Sequence, residues 1–353
     1  MAQSDISDST STAETTAAND TVTTLPVRFK QTKFDWTSSE GGPKGYPMQL
    51  ISGNFSLEGG GSLYIPSGAL LRNGWGDGRS THVGGDKLKA LPNRVSLSFF
   101  SYTENKFYSG DFKLPYQKIL TLFKRGYIDP FTNKVETFSE IVAGMAPGGA
   151  VGVWLISTES RVEVFFGYAK EEPGNWKSIN DNPKYPREEY VRLNIEESLN
   201  PEQMADLKQN GIPYGLWERY HKARYPWQPV FDGMVIKDNR VNVVHYRNGE
   251  WERIDLNPAV LAQHPDRAVP DEVFFVEQSV NSRPVSIEVY FKSDTLLDAF
   301  EKLGTANLPL QLRFFLRKTD KGQHMLNVEL KNANEAIKIP FELKVYGVPK
   351  PIK

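Results

Sequence analysis

Short apolar runs alternate with Gly, Pro, Asn and Asp along most of this chain. Runs rich in Val, Ile, Phe, Tyr and Leu occupy residues 95–100, 151–156, 162–168, 241–246, 273–276, 285–291, 310–316 and 337–345. Each is bounded by turn formers and enriched in β-branched and aromatic residues, which predicts a mostly β protein. Helical spacing is confined to four stretches. Asn200 caps a helix with Pro201 at its first position, Glu202 in its first turn and Gly211 past its end. A second runs from Tyr214 to Ala223. Ser293 caps a third over residues 294–303, which places Leu296, Leu297, Phe300 and Leu303 on one face and stops at Gly304. A fourth spans 115–125, with Ile119, Leu122 and Phe123 on one face.

The helices at 115–125 and 294–303 stand in similar surroundings. A hairpin (94–101 with 106–112) precedes the first and another (151–156 with 161–169) follows it. Strands 273–276 and 285–291 precede the second, and 310–316 and 325–330 follow. Both halves read strand, strand, helix, strand, strand, the pattern of an internal duplication. The expected fold is α+β and mostly β: two β-rich halves, each an antiparallel sheet or sandwich with a few short helices. The polar, Pro-rich stretch 171–187 supplies the boundary. It gives domains at 25–175 and 176–353, the latter with helices near 201–223 and 294–303.

Composition divides the chain further. Residues 1–24 hold 15 Ser, Thr or Ala, four acids (Asp5, Asp8, Glu14, Asp20), no Lys or Arg and no aromatic residue. Such a segment cannot offset its ordering entropy, so it is expected to be a disordered acidic leader. The whole chain carries a formal charge of -1, so the body carries +3. Without a Lys/Arg cluster, a dominant nucleic-acid role is excluded. No stretch approaches the roughly 18 apolar residues of a membrane-spanning helix. The 353 residues include no cysteine, which removes disulfides, thiolate metal sites and a Cys nucleophile. Met1-Ala2-Gln3-Ser4 opens without a signal peptide. Two readings of the leader stand: an ordinary ragged terminus, or the tether of an exported lipoprotein whose signal and anchor cysteine are removed.

Motifs of known chemistry are missing. Gly60-Gly61-Ser62-Leu63-Tyr64 lacks the last glycine of a nucleophile elbow, and Gly74-Trp75-Gly76-Asp77-Gly78 is not a dinucleotide fingerprint. His82, His221, His245, His264 and His324 are scattered and form no metal-binding pair. A carboxylate pair for glycoside chemistry is defined in space, not in sequence, and has no sequence support. The expectation is a non-enzyme without cofactor or metal. Two loops offer binding residues instead. The glycine-rich loop 66–92 carries Arg72, Trp75, Asp77, Arg79, His82 and Asp86, and is long enough to be functional. Glycine lets it fit closely against a partner, while Trp and Arg dominate binding hot spots. Its alternative is an insertion with Trp75 folded back on the core. The loop 171–187 carries Trp176, Lys177 and Tyr185, and reads alternatively as a linker. A sugar- or envelope-binding module would use Trp75, Trp176 and Trp251 for stacking.

Several segments taken together are familiar: Phe34-Asp35-Trp36, Tyr46-Pro47, Leu91-Pro92, residues 98–108 (SFFSYTENKFY), Leu114-Pro115, residues 146–155 (APGGAVGVWL), Trp217-x-x-Tyr220, Arg224-Tyr225-Pro226-Trp227 and Asn248-Gly249-Glu250. Over residues 27–347 the chain resembles a family of bacterial periplasmic lipoproteins of unassigned function associated with type VI secretion lipase effectors. The resemblance implies an immunity protein that neutralises a cognate antibacterial lipase or phospholipase about one to one by occluding its active site. It also implies a periplasmic location through a lipid anchor, and here the expected anchor cysteine is absent. A binder of this kind needs a stable scaffold and a protruding loop, with no chemistry of its own.

Overall fold

The structure, a computed structural model, describes residues 26–129, 132–182, 184–262, 266–278, 284–305, 308–318 and 324–347. The expected leader at 1–24, His264 and the side chain of His324 lie outside them. The protein is α+β and mostly β, built as two sandwiches that share one sheet. In the first, a six-stranded sheet centred on Met48–Leu57, Pro92–Ser101 and Lys106–Lys113 faces Thr37–Gly41, Glu140–Ala146, Ala150–Ile156 and Ser160–Tyr168. Alternate residues from both layers, among them Leu50, Phe55, Val95, Phe99, Ile141, Met145 and Val153, form a continuous core. In the second, Ile236–Tyr246, Trp251–Asp255, Pro270–Glu277, Val285–Tyr290 and Glu342–Tyr346 face Trp227–Asp232, Leu310–Lys318, His324–Lys331 and Ala336–Lys338. Its core includes Val241, Val273, Phe275, Leu312, Phe314 and Val328. Arg161 pairs with Trp251 and Ser160 with Glu252, joining one layer of each sandwich into a nine-stranded sheet.

Each sandwich is filled at one end by an amphipathic helix. These are α1 (Tyr116–Arg125), which buries Ile119 and Phe123, and α6 (Thr295–Gly304), which buries Leu296, Leu297, Phe300 and Leu303. Between the sandwiches run α2 (Arg187–Ser198), α3 (Pro201–Asn210) and α4 (Leu216–Lys222); α5 (Pro258–Leu261) is a single turn in the second sandwich. Asn200 and Gln203 close the expected capping box of α3.

The two sandwiches repeat one topology. In each, an edge strand (Thr37–Gly41 or Trp227–Asp232) runs parallel to the first long strand after the filling helix, Glu140–Ala146 or Leu310–Lys318. The sheets are therefore mixed at these edges and antiparallel elsewhere. Correspondence reaches single bonds. Lys33–Phe34 pairs with Lys89–Ala90, as Arg224–Tyr225 pairs with Arg267–Ala268. Trp36 Nε1 donates to Ala90 O at 3.2 Å, as Trp227 Nε1 donates to Ala268 O at 2.9 Å. The aligned segments read Phe-Asp-Trp against Tyr-Pro-Trp, and Lys-Ala-Leu-Pro against Arg-Ala-Val-Pro.

Two expectations shift. Packing around the first sandwich continues past residue 175, because Trp176, Ile179, Val191 and Ile195 close on Phe100, Tyr102 and Phe107. The expected strand 337–345 is two strands in different sheets, 336–338 and 342–346. Pro340, which has no N–H to give a ladder, falls between them.

Candidate functional site: an anchored strap

The glycine-rich loop does not protrude along its whole length. Residues 72–82 form a strap held flat against the first sandwich, and only the tip at 83–88 stands clear. Arg72 Nη1 donates to Glu197 O at the end of α2 at 2.8 Å. Gly74 N–H donates to Gly42 O at 2.9 Å, Arg79 N–H to Glu40 O at 2.8 Å and His82 N–H to Ser38 O at 2.9 Å. The last two add the strap to the free edge of Thr37–Gly41 as a short antiparallel partner. That removes a liability common to sheet edges.

Trp75 is turned inward. Its ring meets Trp154 edge-on at 4.7 Å and Trp217 of α4 at 6.3 Å. Asp77 forms an ion pair with Arg161, whose side chain is 7 % exposed and also donates to Gly249 O. Gly76 and Gly249 meet backbone to backbone: a Cβ on Gly249 would stand 2.5 Å from Trp75 O, and both have φ of 83°. Only glycine fits there. The strap base thus rests on the turn 246–250 of the second repeat, so both repeats position it.

Beyond this base the character changes. The Arg79 and Asp86 side chains are exposed, His82 stacks edge-on with Tyr64 at 5.5 Å, and Asp86 O accepts from Lys89 Nζ at 3.0 Å. Val83 is 82 % exposed and Leu88 53 %, and Tyr64, the ring partner of His82, is 45 % exposed. Two exposed aliphatic side chains on one loop whose base is fixed make this tip the candidate contact surface. Sequence reasoning named the loop but not Tyr64, Val83 or Leu88; the signal was two aliphatics flanking Gly84-Gly85.

The second candidate loop is separate. Trp176 packs against Phe100 at 5.6 Å and Tyr190 at 5.7 Å and carries the Arg187 guanidinium over its ring at 5.3 Å. These contacts hold the ring in place and leave it partly exposed. Lys177 and Tyr185 are exposed, and Lys184 lies over the Tyr185 ring at 5.6 Å. None of the three makes a hydrogen bond, ion pair or ring contact with the strap among the described residues.

Buried charge lies beneath the strap and at the seam. Glu40 is fully buried and neither carboxylate oxygen has a hydrogen-bond partner in good geometry. Burial pushes its pKa up to about 6, opposed by the Ser80 hydroxyl and the Arg79 charge. Burial also raises Glu140 and Glu163. Glu163 is held by His221 Nδ1 at 2.9 Å and Asn248 Nδ2 at 3.1 Å. For Glu250 burial acts upward too, but the Arg224 guanidinium, with Nη1 at 2.7 Å, outweighs it and holds the carboxyl below its ordinary value. Among the described residues no cluster of three or more His, Cys, Asp or Glu is placed to hold a metal ion.

Residues 14–215 match the DUF2931 family model, described as a protein of unknown function. The match covers more than half of the chain, which therefore belongs to this family. It spans the first sandwich, α2 and α3, and stops just before α4. Searches of curated proteins and of solved structures find no match.

Proposed function

We propose that this member of the DUF2931 family is an immunity protein. It binds a secreted antibacterial effector of the lipase or phospholipase class, delivered by type VI secretion, about one to one. The bound protein covers the effector's active site or substrate entrance. In this reading it works in the periplasm on a lipid anchor, with residues 1–24 as tether, and performs no catalysis. The effector class and the location rest on the sequence resemblance. What supports binding is the strap: a base fixed by both repeats that presents Val83 and Leu88 to solvent, with Arg79 and Asp86 exposed on the same loop. A fixed base lowers the ordering cost of association, and two apolar side chains suit an enzyme cleft built for acyl chains. The sugar-binding alternative is weaker, because Trp75 and Trp176 are committed to packing.

The test is calorimetric titration of a candidate lipase-class effector, with lipase turnover measured alongside, using wild type and a Val83→Asp/Leu88→Asp variant. The expectation is inhibition by wild type and an affinity loss of about 100-fold in the variant, as for hot-spot residues, at an unchanged unfolding midpoint. Equal inhibition by the variant removes the tip from the account. An effector neither bound nor inhibited by wild type removes the immunity reading.

A further inference from the structure

We propose that residues 78–82 of the strap are a proton-controlled latch, seated on Thr37–Gly41 while the Glu40 carboxyl is neutral and released when it is charged. Where that carboxyl sits carries the proposal. Glu40 is fully buried on an edge strand, and neither of its oxygens has a hydrogen-bond partner in good geometry. The strap runs along this strand. Arg79 N–H donates to Glu40 O at 2.8 Å and His82 N–H to Ser38 O at 2.9 Å. Gly78 closes over a second carboxyl, because a Cβ there would collide with Glu140 Oε1 and Ser39 Oγ. Two carboxyl groups that repel each other when charged thus lie under one short segment.

The groups that face Glu40 come from two elements. The strap contributes the Ser80 hydroxyl and Arg79, whose side chain is exposed to water. The adjacent strand Glu140–Ala146 contributes Glu140, itself raised by burial, with the Ser39 hydroxyl and the Arg161 charge opposing the rise. Arg161 is already paired with Asp77. His82, the other titratable side chain of the segment, is turned to Tyr64. Charging Glu40 beneath the seated strap therefore meets desolvation and repulsion from Glu140, and a solvent-exposed Arg79 offsets them in part.

Lifting the segment admits water to the carboxyl. Burial raises Glu40 from its ordinary 4.5 to about 6, so the seated strap binds this proton more tightly than the lifted one does. Opening is constant well below pH 4.5, becomes easier between 4.5 and 6, and levels off above 6. Full return of the carboxyl to its ordinary value raises the opening constant about 20-fold from pH 4 to pH 7.5. The movement is local. Trp75 against Trp154 and Asp77 with Arg161 hold the chain before the segment. The tip at 83–88 therefore has a firm base in mild acid and a looser one at neutral pH, whatever it binds.

Native-state amide exchange at residues 79 and 82, corrected for the intrinsic rate at each pH, reads the opening constant directly. Wild type should show a rise of about 20-fold between pH 4 and pH 7.5, and Glu40→Gln a rise of less than about twofold. At both pH values the two amides should open at least about tenfold more readily than the core amides of Phe99 and Val153. Titration of the Glu40 carboxyl carbon by NMR in wild type reads the same proton without a variant, with a midpoint expected at about 6. Equal opening constants at the two pH values, or a full rise in Glu40→Gln, overturns the proposal. So does opening at 79 and 82 no easier than in the core, which would make release a part of global unfolding. A carboxyl midpoint near 4.5 overturns it as well.

Discussion

Glu40 lies fully buried next to the strap, with Arg79 and Ser80 on one side and Glu140 on the neighbouring strand. Its carboxyl titrates near 6, above the ordinary 4.5, so the folded state binds this proton more tightly than the unfolded chain does. The stabilisation is complete below about pH 4.5 and is lost as pH rises through 6. Glu40→Gln should therefore raise stability at pH 7.5 by about 2 kcal/mol, the free-energy equivalent of that shift, and change little at pH 4. Urea unfolding at the two pH values measures this; an equal effect at both would place the burden elsewhere than on the charge. Glu250 has the opposite sign: its carboxyl is held low, so its contribution is present at neutral pH and lost in acid. Glycine at 249 carries a second residue-scale test. Gly249→Ala meets both a positive φ and Trp75 O, and should cost about 1–3 kcal/mol. Glu40 was not visible in the sequence as special, and Gly249 stood out only as part of Asn248-Gly249-Glu250, without its close contact. Burial of Glu40 depends on the strap, and closeness at Gly249 depends on Gly76, partners far away along the chain.

At the scale of elements, periodicity located α1, α6 and most long strands, because these bury a regular face, whereas α3, which buries no residue, was marked by Asn200, Pro201 and Gly211 at its ends. Periodicity missed α2. There Val191, Leu193 and Ile195 alternate with polar residues, only Val191 is buried, and Leu193 is 39 % exposed, so no helical stripe marks the segment. The strap was legible as a long, glycine-rich loop with Trp and Arg. Its division into a docked base and a free tip was not, since that depends on Trp154, Arg161 and the edge of Thr37–Gly41. The Asp77 pair with the nearly buried Arg161 fastens this element. Asp77→Ala leaves a buried guanidinium without its counter-charge and should destabilise by about 2–3 kcal/mol. Amide exchange at residues 79–82 should accelerate; unchanged exchange there would show that the backbone bonds to Ser38 and Glu40 hold the strap alone.

At the scale of the molecule, duplication was legible as a repeated order of strands and helix, while the sheet shared across the seam was not. Strand pairing between halves, Arg161 with Trp251, has no local signature. Helix α4 secures this seam. Trp217 packs against Ala146 and Ala150 of the first repeat, while Arg219 reaches Glu301 at 2.7 Å and Asp298 at 2.5 Å on α6 of the second. Trp154 Nε1 also donates to Asn248 O across the seam at 3.1 Å, in a buried setting. Trp154→Phe orphans that carbonyl and should cost about 1–3 kcal/mol in urea unfolding, and an unchanged midpoint would show that the seam does not depend on it. Because both repeats hold the strap base, loss of seam integrity should weaken binding without any change at the tip.

The tip at 83–88, with Arg79 beside the bonded edge, is the proposed contact with the effector. Amide hydrogen exchange on the complex, compared with the free protein, tests it most directly. The account predicts slowed exchange concentrated at residues 79–88 and the neighbouring 62–64, with little change at 176–185. A bound effector that slows exchange elsewhere and leaves 79–88 untouched would contradict it.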